Sequence, residues 1–283
     1  MNRLRQLPDE TPDARQFELA ARRLADALSF GQERSPFLGA GIEFVQSRPY
    51  LPGDPVRFID WRVTARTGRV HVKEYEAPRQ LPVYLLIDTS ASMCVSSQPT
   101  SKYAWAVRLA GGLALAALDH MNPVGVLAVG GRALRQEPSL SRGRVLQALL
   151  QLRQHRGDEP TAVGRHLRQL LPRLERRCLL VLLSDLHDPD ALPALKLAAQ
   201  DHDVIVLRLE DPAERGLVAP GLFRAVEAET GRAFAVRGGR PWAGDDVARD
   251  LGRAGIDALT LSTDAPVLPR VRAFVRNRGV RRR

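Results

Sequence analysis

Cysteine is scarce in this chain. Cys94 and Cys178 are the only two thiols in 283 residues, and no Cys-x-x-Cys pair occurs. That rarity argues against a disulfide framework and against a thiolate zinc site, so free thiols are expected. Long apolar runs are missing as well. The longest uninterrupted apolar or glycine stretch, Leu109 to Leu118, is too short to cross a bilayer. Residues Met1 to Glu10 hold no apolar block of the secretory kind, and a cytoplasmic chain without a transmembrane segment is expected. Several catalytic signatures are also absent. There is no Gly-x-x-x-x-Gly-Lys-Ser/Thr loop, no Gly-x-Ser-x-Gly elbow and no His-Glu-x-x-His pair, and Gly39-Ala-Gly41 lacks the third glycine of a dinucleotide fingerprint. Nucleotide use would have to come from a partner. A non-enzymatic role is expected.

What the chain does contain is enough apolar material for a core: 44% of residues are hydrophobic and 26% charged, which indicates one or two folded domains. The charge is one-sided, with 42 Lys plus Arg against 32 Asp plus Glu, a net +10 carried almost wholly by arginine. Part of the excess is local, because Arg270 to Arg283 contains seven arginines and no acid. Such a segment can hold nucleic acid, an anionic membrane or an acidic protein face. It can equally be a solvated end.

Phe17, Ala20, Ala21, Leu24, Ala27 and Leu28 recur at three- and four-residue spacing, which predicts an amphipathic helix over residues 14–30. Short β-prone runs at Ile42 to Val45, Arg57 to Val63 and Gly68 to Tyr75, broken by Gly and Pro, predict a small β-rich subdomain. After Pro82 the pattern changes to buried strands alternating with helices. Strands are expected at Val83 to Ile87, Val124 to Val129, Cys178 to Leu183, Val204 to Leu209 and Ile256 to Leu261, with helices between them and a final one from Pro266 to Asn277. This alternation calls for an α/β, doubly wound, mainly parallel sheet. The expected division is an N-terminal helix and β-rich subdomain over 1–81, a sheet domain over 82–269 with a β-hairpin near 221–238, and an Arg-rich tail over 270–283.

The candidate site begins where the first buried strand runs into Asp88-Thr-Ser90-Ala-Ser92. In an open α/β sheet, ligands gather at the carboxyl ends of strands near the switch point. A second strand ends in Ser184-Asp185, and in a sheet of order 3-2-1-4-5-6 it would neighbour the first, so Asp88 and Asp185 would flank one crevice. The loop Gly157 to Ala162 offers Thr161 over the same crevice. Oxygen-only ligands of low total charge suit Mg²⁺ or Mn²⁺ better than zinc. The rival reading is local, since Ser and Asp also cap helices and shape turns.

Asp88-x-Ser90-x-Ser92, followed by Thr161 and Asp185, resembles the metal-ion-dependent adhesion site of von Willebrand factor A domains. The resemblance implies a Rossmann-like fold in which hydroxyls touch the cation, aspartates act through waters, and a partner's acidic side chain completes the coordination. A second string is similar to the signature of the bacterial family called domain of unknown function 58. It comprises Gly41-Ile-Glu43-Phe, Arg48-x-Tyr50-x-Pro52-Gly53-Asp54, Arg57-x-Ile59-Asp60-Trp61, Ala65-Arg66 and Val72-Lys73-Glu74, with Ser184-Asp185-Leu and Asp211-Pro-Ala-Glu214 later. That resemblance implies an adaptor or chaperone-like partner of a MoxR-type AAA+ ATPase, acting in assembly or cofactor insertion.

Read from the residues alone, Arg48, Arg57, Arg62 and Arg66 interleaved with Asp54, Asp60, Glu74 and Glu76 predict a charge-paired network around Trp61 as its apolar anchor, or else a partner surface. Two other functions stay open. One is nucleic-acid binding through the Arg-rich segments; the other is a metal-dependent hydrolase, for which His187 is the histidine nearest the site loops.

Overall fold

The computed structural model describes the backbone of residues 14–29, 44–75, 80–154, 158–215, 222–226, 233–237 and 245–281. The chain divides into two units, residues 38–81 and the remainder. Helix α1 (Ala14–Ser29) belongs to the larger one. Its buried stripe is Phe17, Ala21, Leu24 and Ala25, while Ala20 faces solvent.

In the smaller unit, β1 (Phe44–Pro49) pairs antiparallel with β2 (His71–Tyr75), with Arg48 opposite Val72. The expected strand from Arg57 to Val63 is instead a 3-10 turn at Val56–Phe58 followed by helix α2 (Trp61–Thr67). The reason is the cap. The Asp60 carboxylate accepts the N–H groups of Arg62 and Val63 at 3.1 and 3.2 Å, and Gly68, at φ 69°, closes the other end. Asp60 also accepts the Ser47 hydroxyl at 2.7 Å, which ties the helix start to β1. Of the expected charge network, Arg48 grips Asp54 through two bonds of 2.7 Å. Those bonds hold the Asp54 carboxyl down to about 2. Arg57 lies over the Phe58 ring, 4.9 Å from its centre. Trp61 is 67% exposed, so it is not the apolar anchor that its composition implied. The side chains of Glu74 and Glu76 lie outside the described residues.

The larger unit is built on β3 (Val83–Ile87), a short helix α3 (Ala91–Cys94), α4 (Lys102–Asp119), β4 (Val124–Ala128), β5 (Arg135–Ser139), α5 (Arg142–Leu152), α6 (Val163–Leu170), β6 (Leu179–Ser184), α7 (Ala191–Asp201) and β7 (Asp203–Glu210). A separate hairpin, β8 (Leu222–Val226) with β9 (Ala233–Arg237), precedes α8 (Asp245–Arg253), β10 (Asp257–Ser262) and α9 (Val267–Arg281). The six-stranded sheet has the order β10-β7-β6-β3-β4-β5 and is parallel except for β5. Counted by chain position, that is 3-2-1-4-5-6, the order of a Rossmann-like sheet. β5 carries no apolar signal: its Arg-Gln-Glu-Pro-Ser is a polar edge strand, where proline is tolerated.

Strands β3, β4 and β6 are buried throughout because helices cover both faces. On one face Tyr84, Leu86, Leu180 and Leu182 pack with Val163, Leu167 and Leu195 of α6 and α7. On the other, Val181, Ile205 and Leu207 meet Leu113 of α4 and Val271 of α9. Cys94 and Cys178 are free and buried. Helix α9 runs through most of the segment expected as a tail. Its Arg278 is buried and bonds Asp257 at 2.7 Å and also Asp203, which pins the helix to β7 and β10. None of the described helices is long and apolar enough to cross a membrane.

Helix α4 is buried on almost every side because the sheet lies beneath it and α1 lies across it. Glycine permits that approach. A methyl group added at Gly112 would fall 2.3 Å from the Leu24 side chain. Gly112→Ala is therefore expected to lower stability by about 1–3 kcal/mol through overpacking. Gly143→Ala on α5, where nothing lies within 4 Å, should gain up to about 1 kcal/mol from helix propensity. Urea midpoints moving in opposite directions would verify this account of the α1–α4 contact.

Candidate metal centre

The β3 strand delivers Asp88 to the sheet's carboxyl edge, where it is completely buried. Its N–H bonds the Leu183 carbonyl at 2.9 Å, continuing the β3–β6 ladder by one residue. Both carboxylate oxygens accept hydrogen bonds, Oδ1 from the Ser90 N–H at 3.0 Å and Oδ2 from the Ser184 hydroxyl at 2.6 Å. Burial, reinforced by the negative charge of Asp185, nevertheless pushes the Asp88 carboxyl up to about 7. Ser90 occupies the N-cap position of α3, yet its hydroxyl does not cap. It meets the Ser92 hydroxyl at 3.0 Å instead. The two motif serines thus point their oxygens at one spot.

Asp185 sits at the end of the adjacent strand. The next residue, Leu186, has φ 62°, a left-handed conformation that costs a non-glycine residue roughly 1–2 kcal/mol. That turn places the Leu186 N–H on Ser184 Oγ at 2.9 Å and the His187 N–H on Asp185 Oδ1 at 3.3 Å. Ser184 therefore links the two loops, accepting from Leu186 and donating to Asp88. On its other oxygen, Asp185 accepts the Lys102 ammonium at 2.8 Å, with His187 Nδ1 at 3.4 Å. Burial works against ionisation of Asp185, but Lys102 and His187, with a hydrogen bond from Ser92, hold it below the usual carboxylate range. Lys102 also bonds Glu214. Burial alone would lower the ammonium's pKa, whereas Asp185 and Glu214 together raise it.

Thr161 belongs to a loop laid against the motif loop. The Glu159 carbonyl accepts the Ala91 N–H at 2.8 Å, and the Glu159 carboxylate accepts the Thr89 hydroxyl at 2.6 Å, the Gly131 and Arg132 N–H groups, and Arg132 Nε at 2.6 Å. A Cβ at Gly130 would lie 2.3 Å from the Thr89 hydroxyl, so only glycine lets the end of β4 pass this close. The Thr161 hydroxyl oxygen is buried without a hydrogen-bond partner among the described residues. Converging serine hydroxyls, an orphaned threonine hydroxyl and two buried carboxylates are a donor set that fits a hard divalent cation. Asp185, His187 and Glu214 also bring one ligand atom each within 4.8 Å of one another.

Asp88, Ser90, Ser92 and Asp185 thus form one hydrogen-bonded cluster, and Thr161 lies two residues beyond Glu159, which bonds the motif loop. Sequence reasoning missed Lys102 as a member and met Glu214 only as part of a string. A signal for Lys102 existed: a lysine in the first turn of a mostly apolar helix opposes the helix dipole and calls for a nearby acid. Nothing comparable marks Glu214, whose place depends on Asp211.

The family described as protein of unknown function DUF58 matches residues 46–249, from within β1 into α8. The chain belongs to this family. Uncharacterized proteins of Mycobacterium bovis and of Mycobacterium tuberculosis are each 29% identical over 282 residues, covering 93% of this chain and 88% of their own length. A solved structure, described as an uncharacterized membrane spanning protein from Vibrio fischeri, is 15% identical and covers 64% of this chain and 91% of its own, with a TM-score of 0.26. The family match takes in both aspartates, both motif serines, Thr161, Lys102 and Glu214.

Asp211 secures the outer side of the cluster. It accepts the Ser97 N–H at 2.8 Å, the Ser96 hydroxyl at 3.0 Å, the Ala213 N–H at 2.9 Å and the Ser97 hydroxyl, and its own N–H bonds Glu214 at 3.2 Å. Burial opposes its charge, but these donors keep its carboxyl below 3.8, led by Ser97. Asp211→Ala strands several donors and should cost about 2–4 kcal/mol at pH 7. Because the folded pKa is depressed, the contribution is present above about pH 4 and disappears as pH falls through the folded value. Denaturation at pH 7 and pH 3 should show a smaller gap between wild type and variant at the lower pH.

Proposed function

We propose that residues 82–269 form a von Willebrand factor A-like interaction module, non-enzymatic, whose metal-ion-dependent adhesion site binds an acidic side chain of a partner protein. One observation carries this reading. Asp88, Ser90, Ser92 and Asp185 meet at the carboxyl ends of β3 and β6, the two neighbouring strands between which the sheet's winding reverses. Ser90, Ser92 and Thr161 would hold Mg²⁺ or Mn²⁺ directly, with Asp88 and Asp185 acting through waters. When bound, the ion supplies an electrophilic position that captures a carboxylate.

A site built from neutral hydroxyls leaves that electrophilicity largely undiminished, which favours capture of an anion over activation of water. The partner in this reading is a MoxR-type AAA+ ATPase, in the cytoplasm, and the work is chaperone-like assembly or cofactor insertion. Nucleic-acid binding through residues 270–283 has less support, because Arg278 is already committed to Asp203 and Asp257.

Ligand that binds only the native state stabilises it by mass action, by about 2.7 kcal/mol at one hundred times its dissociation constant. Wild type is expected to melt several degrees higher in saturating Mg²⁺ or Mn²⁺ than in EDTA, and Asp88→Ala to show no difference. A purified MoxR-type ATPase should be retained by wild type in Mg²⁺ and released by EDTA. Equal retention in both, or by Asp88→Ala, would sink the metal bridge. Turnover of a phosphoester that Asp185→Ala abolishes would replace the reading with a hydrolase.

A further inference from the structure

The chain has three lysines among its 42 Lys plus Arg residues: Lys73, Lys102 and Lys196. Lys73 and Lys196 are exposed, whereas Lys102 has no exposed surface at all. Its place is unfavourable for local reasons. It opens α4 behind the Ser101 cap, where the helix dipole and the unpaired N–H groups repel a cation. Tertiary partners override that preference: the ammonium is 2.8 Å from Asp185 Oδ2 and bonded to Glu214.

These two acids, with His187, are the one group of three side chains among the described residues whose ligand atoms cluster as a metal site's would. Lys102 therefore stands where a cation would stand on this side of Asp185. An ammonium is a compact point charge with three donors, so it satisfies carboxylate oxygens much as a small cation does, which a planar guanidinium would not.

We propose that Lys102 is a tethered cation that competes with the divalent ion for Asp185, so that the centre loads metal only as the ammonium withdraws from the cluster. The proposal rests on reading the cluster as a divalent-cation site. Two cations in one buried group of carboxylates repel, and the repulsion is strong where water is excluded. Glu214 gives the ammonium a second anchor, and the Asp211 N–H fixes Glu214 in turn. An acidic partner side chain approaching the same centre would add negative charge for the incoming metal, shifting the balance away from Lys102. Loading and partner capture would then be coupled, and free Mg²⁺ alone would bind weakly.

The test uses the full chain, stripped with EDTA, and Mn²⁺ alone as probe. Lys102→Met and Lys102→Gln are expected to bind Mn²⁺ at least about tenfold more tightly than wild type. They should also melt lower without metal and recover with it, a response that a purely structural lysine would not produce. Equal Mn²⁺ affinity in wild type and both variants overturns the proposal. If binding in wild type is lost in Asp88→Ala but unchanged by the Lys102 variants, the metal site stands and the competition fails; if none of the proteins binds Mn²⁺, both fail.

Should the Lys102 variants not fold, wild type itself decides. Acetic anhydride labelling read by mass spectrometry should leave Lys102 protected in EDTA and modified in saturating Mg²⁺, with Lys73 and Lys196 labelled equally in both. Protection of Lys102 that persists with metal bound would refute the exchange.

Discussion

The constraint on which the rest of the structure depends is the burial of two carboxylates, Asp88 and Asp185, at the ends of neighbouring parallel strands. Both side chains are shut away from water here, and a buried charge must find a partner or a proton. The molecule uses both remedies. Asp185 keeps its charge because Lys102 faces it, and Asp88 is shifted toward the neutral form by burial beside Asp185. Removing one member of a buried ion pair typically costs about 3–5 kcal/mol, so this cluster constrains the fold as well as any ligand.

The surroundings follow from that constraint. Loops at this edge supply groups that satisfy one another: Ser184 bridges the two strand ends, Glu159 gathers the motif loop and the turn after β4, and Asp211 holds Glu214 against Lys102. The left-handed Leu186 and the glycine-only passage at Gly130 follow strands on either side of β3. Backbone strain and close approach tend to persist where the surroundings over-determine them.

Much of the fold was legible. Strands such as β3 and β6 are short, continuous and apolar, and helices between them left little choice but a parallel sheet; the right-handed crossover rule then sets which face each helix covers. The errors share a cause. The stretch from Arg57 to Val63 reads as a strand by residue type, but the Asp60 cap turns it into a helix start. β5 reads as nothing because an edge strand needs no apolar face. Trp61 was expected to anchor a charge network or else to belong to a partner surface, and its 67% exposure shows that residue type alone does not place a side chain.

By itself, the sequence determined that β3 ends in Asp88 with two hydroxyls at alternate positions, that a second buried strand ends in Asp185, and that both belong to one doubly wound sheet. These are local facts, readable because strand period and residue chemistry act over a few positions. Only the tertiary structure decided that Lys102, fourteen residues beyond Asp88, would be drawn into the cluster and that Glu214 would meet it from beyond β7. The choice of a partner for a buried charge depends on distances across the fold and on the exclusion of water, and neither is written in the spacing along the chain.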